Sequence, residues 1–174
     1  MKALKFLSAA ALSLMSTAAL IGPVSVSAEG SHPLFRLYNP NTGEHFYTAY
    51  HNEMSSLTNG GWKYEGVAWY SQDSGWYVYR LLNPNTGDHH YTMDQNERNT
   101  LIKAGWKYEG IGWASTDLGW ANPANADGVP VYRLYNPNAQ TATHHYTTDA
   151  NERDYLASIG WIPEGVAWYA VSAG

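Results

Sequence analysis

The chain has 174 residues, with 10 Lys and Arg against 15 Asp and Glu, no Cys, and 8 Trp and 14 Tyr beside 3 Phe. This acidic balance argues against nucleic acid and anionic membranes as partners, because both require a basic surface. Without Cys, the chain cannot form disulfides or carry a lipid through a thioether.

The first 28 residues have the pattern of a secretory signal peptide. Lys2 and Lys5 precede a largely apolar stretch over residues 7–21, and Val26-Ser27-Ala28 supplies the small residues that a signal peptidase reads. The apolar run is short for a transmembrane anchor. We therefore predict cleavage after Ala28 and a secreted, extracellular protein without membrane insertion, with association to the cell wall as one option.

Residues 29–174 are predicted to form one domain that contains three copies of one repeat. The copies span residues 34–75, 76–128 and 129–174, and are called copies one, two and three below. Each has an Arg-Leu strand, an Asn-Pro-Asn turn, a His-x-Tyr-Thr segment, an Asn-Glu pair and a closing Glu-Gly-x-x-Trp. Residues 117–128 are rich in Asn, Ala, Gly and Pro, which predicts a surface loop at the end of copy two.

Within each copy, the pattern predicts two strands, a helix and a further strand. The first two strands flank the Asn-Pro-Asn turn and form a hairpin. A capping box, Asp94 with Glu97 in copy two and Asp149 with Glu152 in copy three, starts the helix. Copy one has Tyr50 at the cap position, so we expect its helix to be the weakest.

One such ββαβ unit is too small to bury its own apolar face, which favours closure of the three copies against one another. We predict a mainly β fold with short helices, closed around a threefold axis in a β-trefoil-like arrangement. Trp69, Trp113 and Trp168 would then meet at the centre. A small threefold barrel, or a bladed arrangement with outer helices, is the alternative, because a recurring helix is unusual in a trefoil.

The repeat resembles an uncharacterised repeat family of secreted bacterial proteins. The resemblance rests on the Arg-Leu-Tyr-Asn-Pro-Asn-Thr-Gly-Glu-His-Phe-Tyr-Thr pattern and the Glu-Gly-Val-Ala-Trp-Tyr ending, and it covers residues 34–170. Such repeats often accompany cell-wall hydrolases or occur in surface proteins. The resemblance implies an extracellular accessory role, with a glycan or cell-wall polymer as partner. Copy three departs from the pattern at residues 138–143.

The aromatic and polar residues of the repeat suggest carbohydrate binding, since Tyr and Trp combine a flat apolar face with a polar group. The hypothetical ligand-binding residues are Asn39, His45 and Tyr47; Asn83, His89 and Tyr91; Asn136, His144 and Tyr146; and, outside the repeat pattern, Trp76 and Trp120. The alternative is structural: a histidine that recurs in every repeat can also fix the hairpin. Arg36, Arg80 and Arg133 are expected to pair with Glu65, Glu109 and Glu164 of their own copies.

A non-catalytic, monomeric binding module is the function that the sequence favours. Catalysis usually needs a unique site, whereas nearly every polar candidate here occurs three times, and no nucleophile or metal motif is present. We expect no cofactor and no metal; three histidines converging on one zinc ion is a minor alternative. A small effector or bacteriocin-like protein that binds an envelope protein is the second hypothesis, and a glycan hydrolase is a third.

Overall fold

The computed structural model describes residues 30–116 and 128–174. The predicted signal peptide, the candidate Trp120 and residues 117–127 of the predicted loop lie outside the described residues. Apart from that loop, the two described ranges contain all three copies of the repeat.

Each copy contributes the same order of elements, as its sequence pattern predicts. Copy one contains β1 (Ser31–Tyr38), β2 (His45–Thr48), α1 (His51–Asn59) and β3 (Lys63–Gln72). Copy two contains β4 (Trp76–Leu82), β5 (His89–Thr92), α2 (Gln95–Lys103) and β6 (Lys107–Ser115). Copy three contains β7 (Val129–Tyr135), β8 (His144–Thr147), α3 (Ala150–Ser158) and β9 (Ile162–Ala170), followed by the short β10 (Ser172–Ala173).

The fold is mainly β, with three short helices. In each copy the first strand pairs antiparallel with both of the others, so that the order is β2-β1-β3, β5-β4-β6 and β8-β7-β9. Contacts from β3 to β6 and to β10 join copies one and two and the C-terminal strand into a seven-stranded sheet, which is curled into a half-barrel. The strands of copy three form a second sheet.

Bulges explain the closing Glu-Gly-x-x-Trp motif. In copy one, Arg36 pairs with Gly66 and Leu37 pairs with Tyr64, so Glu65 is an extra residue in β3. The same shift occurs in copies two and three. Gly66 has φ +106°, a conformation that costs glycine little. The bulge therefore turns the glutamate side chain back towards the arginine of the same copy.

The helices lie on the outside, because no residue of the three described helices is buried. Asp94 and Asp149 cap their helices as predicted, whereas Tyr50 makes no side-chain cap bond to α1. The capping box is only half formed: the amide of Asp94 donates to Thr92 Oγ1, and Glu97 turns away to other partners. Among the described residues, no helix is long and apolar enough to cross a membrane.

Three tryptophans, one from each copy, meet in the core as predicted. Their ring centroids are 5.5 to 6.0 Å apart in all three pairs, and the side chains of Trp69, Trp113 and Trp168 are buried. A second set of tryptophans, one in the Gly-Trp pair of each copy, is only half-buried. These residues cover the edges of Phe46, His90 and His145 instead; they are Trp62, Trp106 and Trp161.

Three buried tyrosines connect the copies in a closed cycle of hydrogen bonds. Each hydroxyl donates to a backbone carbonyl of another copy: Tyr47 to Tyr146 at 2.7 Å, Tyr146 to Tyr91 at 2.8 Å and Tyr91 to Tyr47 at 3.1 Å. The same hydroxyls accept backbone N–H groups, at 3.0 to 3.3 Å. Each tyrosine hydroxyl therefore bonds to both the N–H and the C=O of one strand residue in another copy. No tyrosine of the cycle can form these bonds within its own copy.

Replacing Tyr91 with Phe should lower the free energy of unfolding by about 2 kcal/mol, because the change leaves the buried N–H and C=O of Tyr47 without their partner. Urea denaturation followed by tryptophan fluorescence measures this loss. Tyr155→Phe is the matched control, since Tyr155 is 64% exposed. Equal stability of the two variants would contradict the proposed role of the tyrosine cycle.

Candidate functional site

The arginine of each copy pairs with the bulge glutamate of the same copy, as the sequence predicts. The Nε to Oε2 distances are 3.0 Å for Arg36–Glu65, 2.9 Å for Arg80–Glu109 and 2.7 Å for Arg133–Glu164. These side chains are all partly buried. A charge removed from water is costly unless an opposite charge pairs with it, so each arginine needs its glutamate.

Each arginine also binds a glutamate from another copy, and sequence reasoning missed this second contact. The pairs are Arg36–Glu152 at 3.1 Å, Arg80–Glu53 at 2.8 Å and Arg133–Glu97 at 3.0 Å. The signal is present in the recurring Asn-Glu pair, which the sequence pattern alone assigns to helix capping. Copy three supplies the glutamate for copy one, copy one supplies it for copy two, and copy two supplies it for copy three. An arginine between two carboxylates therefore lies at every junction between copies.

The candidate histidines lie beside these arginine sites. His45, His89 and His144 are each 3.3 to 3.5 Å from the bulge glutamate of their own copy. Two of them also make edge contacts with a histidine of another copy, with centroids 4.6 Å apart: His45 with His145 and His144 with His90. In copy one Phe46 takes the corresponding place and contacts His89. Among the described residues, no three potential ligands form a metal-binding group.

Protonation of these groups follows from their surroundings. Burial, together with the charges of His145 and Arg36, lowers the pKa of His45 to about 3. Burial and the charges of His90 and Arg133 lower the pKa of His144 to about 3.

At the carboxyl of Glu97, hydrogen bonds and nearby charges outweigh the effect of burial on the pKa. Burial would raise its pKa, but hydrogen bonds from His90 and Thr92 and the positive charges of His90 and Arg133 hold the pKa well below its ordinary range. At neutral pH the junction therefore holds an ionised Glu97, the Arg133 cation and a neutral His144.

The predicted pockets of one Asn, one His and one Tyr per copy are not exposed surfaces in the structure. The three tyrosines are 0 to 1% exposed, because their hydroxyls satisfy backbone groups of other copies. The side chains of Asn39, Asn83 and Asn136 accept the backbone N–H two residues later, which stabilises the turns. The tyrosine side chains are therefore covered in the structure, and a binding role for the Asn, His and Tyr residues stays a prediction.

Trp76, in contrast, is 58% exposed and lines a cleft on the described surface. The cleft has a volume of about 440 Å³ and lies at the junction of copies two and three. We call it the 2/3 cleft. It is lined by Trp76, Thr92, Met93, Asp94 and Glu97 of copy two and by Arg133, Glu164, Val166 and Ala167 of copy three.

The equivalent cleft between copies one and two is smaller and lined differently. It has a volume of about 280 Å³, with His32 in the position of Trp76 and Tyr50 in the position of Asp94. Tyr77, next to Trp76 in β4, points into this smaller cleft, so the two adjacent aromatics of copy two serve two different junctions.

The junction between copies three and one lies beside the C-terminus of the chain. Strand β10 pairs with β3, and Gly174 N donates to the carbonyl of Ala68 at 3.3 Å. Thr148 Oγ1 donates to the same carbonyl at 3.5 Å. Val129 stands where copy two has Trp76. The three junctions thus share their arginine sites but differ in the surfaces around them.

The half-buried His144 predicts how stability depends on pH. In the unfolded chain His144 takes up a proton near pH 6.5, whereas in the folded protein it stays neutral down to about pH 3. Between these values the unfolded state binds more protons, so the free energy of unfolding falls as the pH falls, by up to about 1.4 kcal/mol per pH unit for one such group.

In His144→Gln this slope should be shallower than in the unmodified protein, as urea denaturation at several pH values between 6.5 and 3 would measure. His51→Gln is the control, because His51 is exposed on α1. An unchanged slope in His144→Gln would show that His144 does not titrate as its surroundings require.

The comparisons with known proteins identify the family without an activity. No curated protein matches the chain, and no solved structure matches it. A sequence model described as a domain of unknown function, DUF5648, matches residues 33–171. This range takes in all three copies and all three junctions, so the chain belongs to the DUF5648 family.

Proposed function

We propose that the chain is a secreted, non-catalytic module that binds a cell-wall or other extracellular glycan, and that the 2/3 cleft is its principal binding site. The observation that carries this proposal is the exposed indole of Trp76 beside charged groups that are already held in place. A flat aromatic face stacks on sugar rings, and fixed carboxylates and a guanidinium accept and donate hydrogen bonds to hydroxyls.

The dimensions of the 2/3 cleft support a small saccharide as the bound unit. A volume of about 440 Å³ lies within the range of small-molecule sites in proteins, roughly 300–1,000 Å³. Trp76, Val166 and Ala167 provide apolar surface, while Asp94 and Arg133 provide polar atoms.

The polar groups of the cleft are held by protein contacts before any ligand arrives. Arg133 lies between Glu97, at 3.0 Å, and Glu164, at 2.7 Å, and Glu97 is also held by His90 at 3.1 Å. Groups that are fixed in the free protein lose little conformational entropy on binding, which favours affinity.

A binding role rather than hydrolysis is favoured by the state of Glu97. A glycosidase needs a carboxylic acid that keeps its proton near neutral pH, which requires a raised pKa. Hydrogen bonds and positive charges shift the pKa of Glu97 in the opposite direction. Glu97 therefore suits hydrogen-bond acceptance and positioning, not proton donation.

We further propose that the three copies close around a common axis in a trefoil-like arrangement and that the module is a monomer. Three sets of contacts support closure, since the Trp triangle, the Tyr cycle and the Arg–Glu cycle each use all three copies. Secretion is proposed from the signal-peptide pattern of residues 1–28.

Trp76→Ala should weaken retention of the mature protein on insoluble cell walls or peptidoglycan by about tenfold, which corresponds to about 1.4 kcal/mol for an aromatic contact. The retained fraction at several wall concentrations measures the affinity. Tyr155→Ala removes an equally exposed aromatic on α3, outside both clefts, and should leave retention unchanged.

Retention that soluble saccharides reverse supports the glycan assignment. If the unmodified protein is retained by no wall preparation, the proposed function is wrong. If Trp76→Ala and Tyr155→Ala are both retained like the unmodified protein, the 2/3 cleft is not the site.

A further inference from the structure

The 2/3 cleft carries a net negative charge. Asp94, Glu97 and Glu164 contribute three carboxylates, and Arg133 is the only basic side chain among the described residues that line it. Both Glu97 and Glu164 lie within 3.0 Å of this one guanidinium. Among the lining residues, one guanidinium therefore stands against three carboxylates, and His90, which does not line the cleft, lies 3.1 Å from Glu97.

Asp94 is the carboxylate whose charge is open to the cleft. It is exposed, and its Oδ1 accepts backbone N–H groups from Asn96, at 2.7 Å, and from Glu97, at 3.4 Å. The helix N-terminus has partial positive character that stabilises this carboxylate, but the carboxylate keeps its negative charge, and no cationic side chain among the described residues contacts it. A ligand that enters the cleft thus meets an anionic group that is rigidly positioned at the start of α2.

Trp76 adds a second, independent preference for positive charge. The face of an indole attracts a cation electrostatically, and Trp is the strongest side chain in this respect. Trp76 lines the same cleft as Asp94 and is largely exposed. An aromatic face and a fixed carboxylate in one cleft are complementary to an ammonium group on an otherwise polar ring.

The other two junctions lack this combination. The smaller cleft has Tyr50 in place of Asp94 and His32 in place of Trp76, and the carboxylate of Asp73 there is 3.0 Å from His32. The junction of copies three and one keeps an aspartate cap, Asp149, but has Val129 in place of Trp76. Tyr50, Tyr77 and Asp73 line the smaller cleft, but among the described residues a tryptophan face beside a helix-capping aspartate occurs only in the 2/3 cleft.

We propose that the 2/3 cleft selects glycans with free, protonated amino groups, such as glucosamine units without their N-acetyl group. The proposal rests on the glycan-binding function assigned above and specifies its ligand. The amino group lies against Asp94 and Trp76, and the ring hydroxyls reach Glu164 and Arg133.

The test compares a glucosamine tetramer with an N-acetylglucosamine tetramer by isothermal titration calorimetry on the mature protein at low ionic strength. The glucosamine tetramer should bind at least about fivefold more tightly, the effect of one ion pair near a protein surface, and added salt should reduce the difference. Asp94→Asn should abolish most of this preference. Asn is as good a helix cap as Asp, so the variant keeps α2 while it loses the charge.

Asp149→Asn is the matched control, because it makes the same change at the cap of α3, where no Trp76 equivalent is present. It should keep the full preference for the glucosamine tetramer.

Three results would overturn the proposal. They are equal or tighter binding of the N-acetylated tetramer, tighter binding of a trilysine peptide than of the glucosamine tetramer, and an unchanged preference in Asp94→Asn. If neither tetramer binds but cell walls still retain the protein, the amino-group proposal fails while the proposed function stands. If neither tetramer binds and no wall preparation retains the protein, both fail.

Discussion

The structure depends on polar contacts that each copy can satisfy only with another copy. The hydroxyls of Tyr47, Tyr91 and Tyr146 bond to backbone groups of other copies, and each arginine takes one carboxylate from its own copy and one from a neighbour. Buried polar groups without partners are costly, and a copy on its own would leave a tyrosine hydroxyl without its backbone partners and an arginine with one of its two carboxylates. Three copies form one unit because these requirements close in a cycle.

The same requirement creates the candidate binding site. An arginine held between two copies places charged groups at each junction, and the surface around the junction decides what it can bind. Copy two supplies Trp76 and Asp94, which make the 2/3 cleft aromatic and acidic. The other junctions carry His32 and Tyr50, or Val129 beside the C-terminal strand. The repeat thus supplies a common framework, and differences at a few positions confine the proposed site to one junction.

Repetition in the sequence made much of the fold predictable. Motif spacing predicted the hairpins, the Asp caps, the central tryptophans and the pairs of Arg36, Arg80 and Arg133 with their own glutamates, since these depend on residues within one copy or on its buried face. The second glutamates were missed because the sequence pattern of one copy contains no information about which neighbour it contacts. For the same reason the sequence did not show that the hydroxyl of Tyr91 bonds to another copy. The exposure of Trp76 was predictable, because it falls outside the repeated pattern.

Native-state hydrogen exchange of the backbone amides of Tyr47, Tyr91 and Tyr146 tests the closed cycle most directly. Each amide donates to the hydroxyl of a tyrosine in another copy. If the three copies form one cooperative unit, all three amides should exchange with the same free energy, equal to that of global unfolding. Exchange of one amide at a free energy lower by about 1.4 kcal/mol or more, a tenfold difference in opening, would show that its copy opens separately and would contradict the account.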